Sequence, residues 1–213
     1  MENVSNHTPQ VVMLHGIGNI LWMIRVLEKR LLKSGFNTRI IKYPSMNSDL
    51  NTCAEYLHEK LRDYPAKSIH FVTHSMGALV VRKYIEKYGE DQIIRIVMMG
   101  PPNQGSIVAK RMKYLISPLY GPAFLEMGDK TKIQSLPVPK TDFMIISGYS
   151  RFKYGWNILI PENNDFLVGV QETYLPGAKE YKLVNHYHAY IPTGKDTLEY
   201  IKDFLSDHNK QSH

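Results

Sequence analysis

The 213-residue chain has a single cysteine and two tryptophans. One thiol cannot form an internal disulfide, so the hydrophobic core must hold the fold without covalent staples. Cys53 lies in SDLNTCAEYLHEKL, where Leu50, Cys53/Ala54, Leu57 and Leu61 recur at helical spacing. That places it on a buried stripe, as a small hydrophobe and not a reactive thiol. No run approaches the roughly 18 apolar residues of a membrane span, so no stable membrane insertion is expected. The opening MENVSNHTPQ lacks the basic start and apolar stretch of a signal peptide, and the expected location is cytoplasmic. There is no internal repeat, low-complexity tract or linker, which predicts one domain over 1–213. The formal charge is +6. Its lysines and arginines, however, are interleaved with glutamate in stretches such as RVLEKRLLKS and VRKYIEKYGE, as on solvated helix faces. With no helix-turn-helix or RNA-binding signature, a nucleic-acid partner is not expected.

Hydrophobic residues make up 43% and charged residues 22% of the chain, ordinary globular values that allow a sizeable core. Apolar runs alternate with amphipathic segments. QVVMLH (10–15), TRIIKY (38–43), SIHFVTH (68–74), IIRIVMMG (93–100), DFMIIS (142–147) and YKLV (181–184) read as strands. Between them, 20–33, 49–63, 76–88 and 194–206 carry helical stripes, with Ser48 and Thr193 as candidate N-caps. In 76–88 the expected inward residues are Val80/Val81, Tyr84/Ile85 and Tyr88. Strands that alternate with helices of this length predict a three-layer α/β fold, with a mostly parallel sheet of about six strands covered on both faces. Such sheets bind ligands beyond the carboxyl ends of their strands.

The sharpest feature lies at one of those ends. FVTHSMGALVV (71–81) begins as a strand and ends as a helix, with Ser75 at the corner. A serine there can be a helix N-cap, or a nucleophile on a strained strand-to-helix turn. Thr-His-Ser-Met-Gly at 73–77 has the small Gly77 that lets the helix leave the corner. Position 73, normally glycine in G-x-S-x-G, is threonine. A serine nucleophile needs a base, an acid to orient that base, and donors for the developing oxyanion. LHGIGN (14–19) follows the first strand, and its turn makes the Ile17 and Met76 amides the natural donors. Asp165 follows a Pro/Asn-rich turn, and His186 and His188 follow YKLV, so the chain order is Ser, Asp, His. His186 and His188 have no third partner at metal-binding spacing, so no metal is expected, and chemistry run by a serine, a base and an acid needs no cofactor. His70 and His74 read as structural.

These pieces, VVMLHGIGN, VTHSMGALVVRKY, MMGPPNQGS, NNDFLVGVQETYLPGA and HAYI, together resemble the small bacterial α/β-hydrolases of the lipase/esterase kind that lack a large cap domain. The likeness runs from about 10 to 205. It implies a serine hydrolase acting on a small-molecule ester or acyl substrate, with Ser75 as nucleophile, Asp165 as acid and His188 as base. In that group a D-G-x-V-x-V segment carries the acid and leads to L-P-G. Here Asp165 leads to Leu175-Pro176-Gly177, and His188 follows at the matching distance. The departure is Phe166, where relatives have glycine. Asp142 opens a strand at the wrong end of the sheet, while Asp129 and Asp49 fall in the variable segment and at a helix start.

Residues 106–140 are rich in Met, Leu, Tyr, Phe and Pro, with little periodicity, and read as a lid-like insertion that is weakly protected and sets substrate size. Trp22, Met112, Leu115 and Phe124 are the candidate substrate contacts, with a second aromatic cluster at 148–161. The same triad can serve a thioesterase, amidase or acyltransferase, and the same fold a binding protein without turnover.

Overall fold

Val11 and Met13 of β1 (Gln10–Leu14) enter one core while Val12 and Leu14 enter another, as the two-residue period of a strand requires when both faces are covered. The computed structural model describes residues 9–19, 21–62, 68–150 and 159–206. Five further strands are β2 (Asn37–Ile41), β3 (Ile69–His74), β4 (Ile93–Met99), β5 (Asp142–Gly148) and β6 (Glu180–Val184). All pairings are parallel, in the order β2-β1-β3-β4-β5-β6. On one face lie α1 (Leu21–Lys33) and α7 (Lys195–Ser206), whose Ile24, Leu27, Leu31, Ile201, Phe204 and Leu205 pack on Val72, Val97 and Ile146. On the other lie α2 (Leu50–Arg62), α3 (Met76–Tyr88), α4 (Ile107–Met127) and the short α5 (Lys130–Gln134). Strand order reverses between β1 and β3, so the crevice favoured for ligands opens above their carboxyl ends.

Element ends agree with the sequence reading to within two residues; Ile20, Asp63 and 151–158 of the aromatic cluster lie outside the described residues. The caps differ. Asp49, not Ser48, caps α2, its Oδ1 accepting from Thr52 N at 2.7 Å; a carboxylate there also complements the helix dipole. Thr193 caps nothing, because its hydroxyl donates to the Tyr190 carbonyl at 2.8 Å and α7 starts two residues later. Tyr88, expected inward, is 38% exposed and stacks on His58 with ring centroids 3.8 Å apart. Cys53 is fully buried, and burial pushes its thiol up to about 12, as befits a hydrophobe.

Residues 106–140 are a larger departure. They are mainly helical, α4 being broken at Gly121, where φ is 72°. Ala109, Ala123, Phe124, Met127, Ile133 and Leu136 join the main core. A kink at Gly121 disrupts the helical period, so the buried pattern was hidden from a reading based on periodicity. Both ends of the segment contribute to that core, while Leu115 and Leu119 in α4 face solvent.

The buried Arg82 of α3 ties two loops together. Its guanidinium donates to the carbonyls of Leu136 (2.6 Å), Pro137 (3.0 Å) and Asn103 (3.3 Å) and to Asn103 Oδ1 (3.3 Å). Burial lowers its pKa to about 10, yet it stays charged at neutral pH. Replacing Arg82 by Met strands those acceptors, and charge-assisted bonds contribute about 1.5–3 kcal/mol each. The Arg82→Met variant should therefore lose at least about 3 kcal/mol in urea unfolding; a loss below 1 kcal/mol would show the loops to be held by other contacts.

Candidate active site

Ser75 sits between the end of β3 and the start of α3 with φ 54° and ψ −124°. This backbone region is unfavourable for a residue with a Cβ, at a cost of about 1–3 kcal/mol. Only Ser75 and Phe166 adopt positive φ among the described residues other than glycine. The Ser75 hydroxyl makes no cap hydrogen bond to α3, which argues against the simple N-cap reading. Its backbone N–H donates to Met99 O at 2.8 Å, fixing the corner to the neighbouring strand.

The corner is crowded by backbone. A Cβ on Gly77 would lie 2.9 Å from the His15 carbonyl oxygen, and one on Gly16 would lie 3.0 Å from Ser75 Cβ. Thr73 takes no part in this crowding. It is fully buried within β3, with its hydroxyl donating to Val97 O at 3.0 Å, so threonine is accommodated where the motif normally has glycine. The 15–16 turn is clamped by Tyr43, whose hydroxyl donates to His15 O at 2.5 Å while its ring stacks on His15 at 4.4 Å. Ile17 follows, opening the short 3-10 turn Ile17–Asn19. Met76 is the first residue of α3, so its N–H has no acceptor within the helix.

Asp165 is fully buried in the loop after β5. Its Oδ1 accepts from the amides of Leu167 (3.0 Å) and Val168 (2.8 Å), and its Oδ2 from His188 Nδ1 at 2.7 Å. With the Nδ1 proton committed to the carboxylate, Nε2 is the imidazole nitrogen able to take another. His188 N–H also donates to Asp165 O at 2.8 Å, so the two residues are tied through main chain and side chain alike. Phe166 has φ 90°. That is a backbone conformation that suits glycine, the residue the sequence resemblance leads one to expect at 166, and here phenylalanine holds it. After Val168 the chain enters the one-turn helix α6 (Val170–Thr173). Glu172 on it accepts from Gly169 N (2.8 Å) and from Ile107 N of α4 (2.5 Å), joining the loop that carries Asp165 to α4; burial raises its carboxyl to about 6.

Ser75 and His188 line one cavity of about 200 Å³. No hydrogen bond joins the Ser75 hydroxyl to the imidazole in this structure; such contacts are often long before substrate binds. Met23, Val108, Phe124, Met127 and Leu167 make most of the wall apolar, and Gly16 and Ile17 close it beside the serine. Of the candidate substrate contacts only Phe124 lies on it. Leu115 is 78% exposed, Trp22 is 55% exposed and set edge-on to Tyr190, and Met112 is also away from the wall. Hydrophobicity alone did not separate the cavity-facing from the solvent-facing side of α4. Met23, Val108 and Met127 escaped the sequence reading because they look like any core residue. A second cleft of about 470 Å³ shares Ser106 with this cavity but includes none of Ser75, Asp165 and His188.

His186 is elsewhere. Its Nε2 pairs with Asp196 Oδ1 at 2.8 Å on the protein surface. In an extended strand, residues 186 and 188 would share one side, but β6 ends at Val184 and His188 begins a 3-10 turn, His188–Thr193. His70 is buried within β3. His74, expected to be structural, also lines the cavity. Among the described residues no three His, Cys, Asp or Glu side chains are grouped to hold a metal, and no helix is long and apolar enough to cross a membrane.

No protein-family model and no curated protein matches the chain. Solved structures do. The mature form of lipase BlEst2 from Bacillus licheniformis superposes with a TM-score of 0.78 at 19% identity, over 96% of this chain and 95% of that one. The metagenomic carboxyl esterase MGS0156 gives 0.72 at 16%, over 96% and 77%. The esterase EaEST from Exiguobacterium antarcticum gives 0.66 at 14%, over 92% and 91%. The chain has the α/β-hydrolase fold.

If position 166 is constrained by its backbone, Phe166→Gly should stay within about 1 kcal/mol of the parent stability, whereas the β-branched Phe166→Val should lose more than that; equal losses would place the constraint in the side chain. Burial holds His15 and His74 below the usual imidazole range, His74 at about 3. The unfolded chain therefore binds protons that the folded chain refuses. Stability should be full above about pH 6.5 and should fall as the pH drops towards 3. His74→Gln should flatten that fall in urea unfolding measured at pH 7, 6 and 5; an unchanged slope would contradict it.

Proposed function

We propose that the chain is a serine carboxylic-ester hydrolase. The observation that carries this reading is Ser75, held in a left-handed corner and opening, with the Asp165-bound imidazole of His188, into one apolar cavity. In this reading Ser75 Oγ attacks the acyl carbonyl carbon and His188 Nε2 takes the hydroxyl proton. The Ile17 and Met76 amides receive the developing oxyanion. The tetrahedral intermediate collapses as His188 passes its proton to the departing alkoxide, which leaves as the alcohol. Water then gives its proton to His188 and attacks the acyl-enzyme. Collapse of this second intermediate breaks the ester bond to Ser75, returning the proton to Oγ and releasing the acid. Asp165 keeps the imidazole in the Nδ1–H tautomer and stabilises the imidazolium. No step needs a cofactor. The apolar wall formed by Val108, Phe124 and Met127 suits the acyl part of the substrate, so the 106–140 segment sets substrate size from its buried face.

The likeness to lipases and esterases supports the reaction class, and the position of Ser75 supports its chemistry. A fluorophosphonate probe should label the wild-type protein and leave Ser75→Ala unlabelled. On one activated p-nitrophenyl ester, His188→Ala and Asp165→Asn should each lower kcat by at least about 10³-fold. His186→Ala should cost about tenfold or less. Labelling of Ser75→Ala at another serine, or a dead His186→Ala beside an active His188→Ala, would overturn the assignment. A panel of esters, thioesters and amides on the same protein ranks the bond cleaved.

A further inference from the structure

The main chain of His188 is held at both ends. Its N–H donates to the Asp165 carbonyl, and its own carbonyl accepts from His74 Nε2 at 3.0 Å. The two imidazoles lie 4.7 Å apart at a 40° tilt. On its other side His74 meets the oxyanion turn, since a Cβ on Gly16 would come within 3.3 Å of His74 Nδ1. His74 is joined by one peptide bond to Ser75. One side chain therefore touches the turn bearing the base and the turn bearing the oxyanion donors, and it belongs to the nucleophile corner itself.

We propose that His74 is a positioning residue, which sets His188 against Ser75 by holding the His188 carbonyl with its Nε2–H. The proposal rests on the hydrolase reading above. A carbonyl only accepts, so the Nε2 proton is required, and a neutral ring then leaves Nδ1 bare towards Gly16. The neutral state is secured by the surroundings. Burial, then the neighbouring His188, lower the His74 pKa to about 3, against a smaller raising effect of the bond to His188 O, with His15 adding to the lowering. The titratable groups around it are His15 at the end of β1 and His188, with Asp165 behind His188. That neutrality matters for turnover, because His188 becomes an imidazolium at each proton transfer and a second cation 4.7 Å away would oppose it.

Phenylalanine at 74 keeps a flat ring but removes the donor, whereas glutamine offers an amide N–H near the position of Nε2. On a short-chain p-nitrophenyl ester, His74→Phe should lower kcat about 30-fold with KM within threefold, the pattern of an interaction used in the transition state. His74→Gln should recover most of the loss. The Nδ1 proton between His188 and Asp165 gives a low-field NMR resonance that should broaden or vanish in the Phe variant and return in the Gln variant. This resonance reads the positioning whether or not esters are turned over, so failure of the hydrolase reading and failure of this one are distinguishable. If His74→Phe does not fold by circular dichroism, His74→Met, which also lacks the donor, replaces it. A kcat within threefold of wild type in the donor-less variant, equal losses in the Phe and Gln variants, or an unchanged resonance would each overturn the proposal.

Discussion

The left-handed backbone of Ser75 is the constraint on which the surrounding structure depends. A residue with a side chain is costly to keep at φ 54°, and three neighbours make the conformation hold. Ser75 N–H is bound to Met99 O on the adjacent strand. Gly77 lets the first turn of α3 pass against the His15 carbonyl. Gly16 lets the preceding loop approach Ser75 Cβ. Each contact uses backbone from β1, α3 or β4, so the corner persists only where the parallel sheet brings those strands side by side. The reversal of strand order between β1 and β3 then leaves the crevice open above it.

The same economy governs the electrostatics. Asp165 is wholly buried, but its carboxylate receives two backbone amides and an imidazole, so the charge is solvated by fixed donors. His15 and His74 are kept neutral by burial, which limits competing positive charge around His188. Arg82 carries its buried charge among carbonyls of the 103 and 136–137 loops. Arg82 and His74 are tied to backbone far away in the chain, which makes them connectors between segments distant in sequence.

Phe166 illustrates how a motif and its physical meaning can part. The sequence resemblance leads one to expect glycine at 166, a residue that suits a positive φ, and this chain has that φ with phenylalanine in place. Asn164 Oδ1 accepts from Phe166 N at 3.0 Å, and Asp165 N donates to Val168 O at 3.1 Å. These local bonds impose the turn even though residue 166 does not favour it. Thr73 is the converse, a substitution in the motif at a position where the backbone is ordinary strand.

The sequence by itself determined the layered α/β class, the six strands to within two residues, and the Ser, Asp, His order, because strand and helix periodicity are local and record which faces are buried. The likeness to small hydrolases singled out His188 from His186. Only the tertiary structure decided what separates those two histidines physically. It ends β6 at Val184, sends His186 to a surface pair with Asp196, and brings His188 onto Asp165. It also decided that 106–140 belongs partly to the core, since the break at Gly121 erases the periodic signal, and that Phe124 lines the cavity while Leu115 faces solvent. His74 reads as a strand histidine until the turn after β6 is folded over it. Contacts between segments a hundred residues apart leave no trace in local pattern, because they are set by how whole elements pack and not by the spacing of neighbours along the chain.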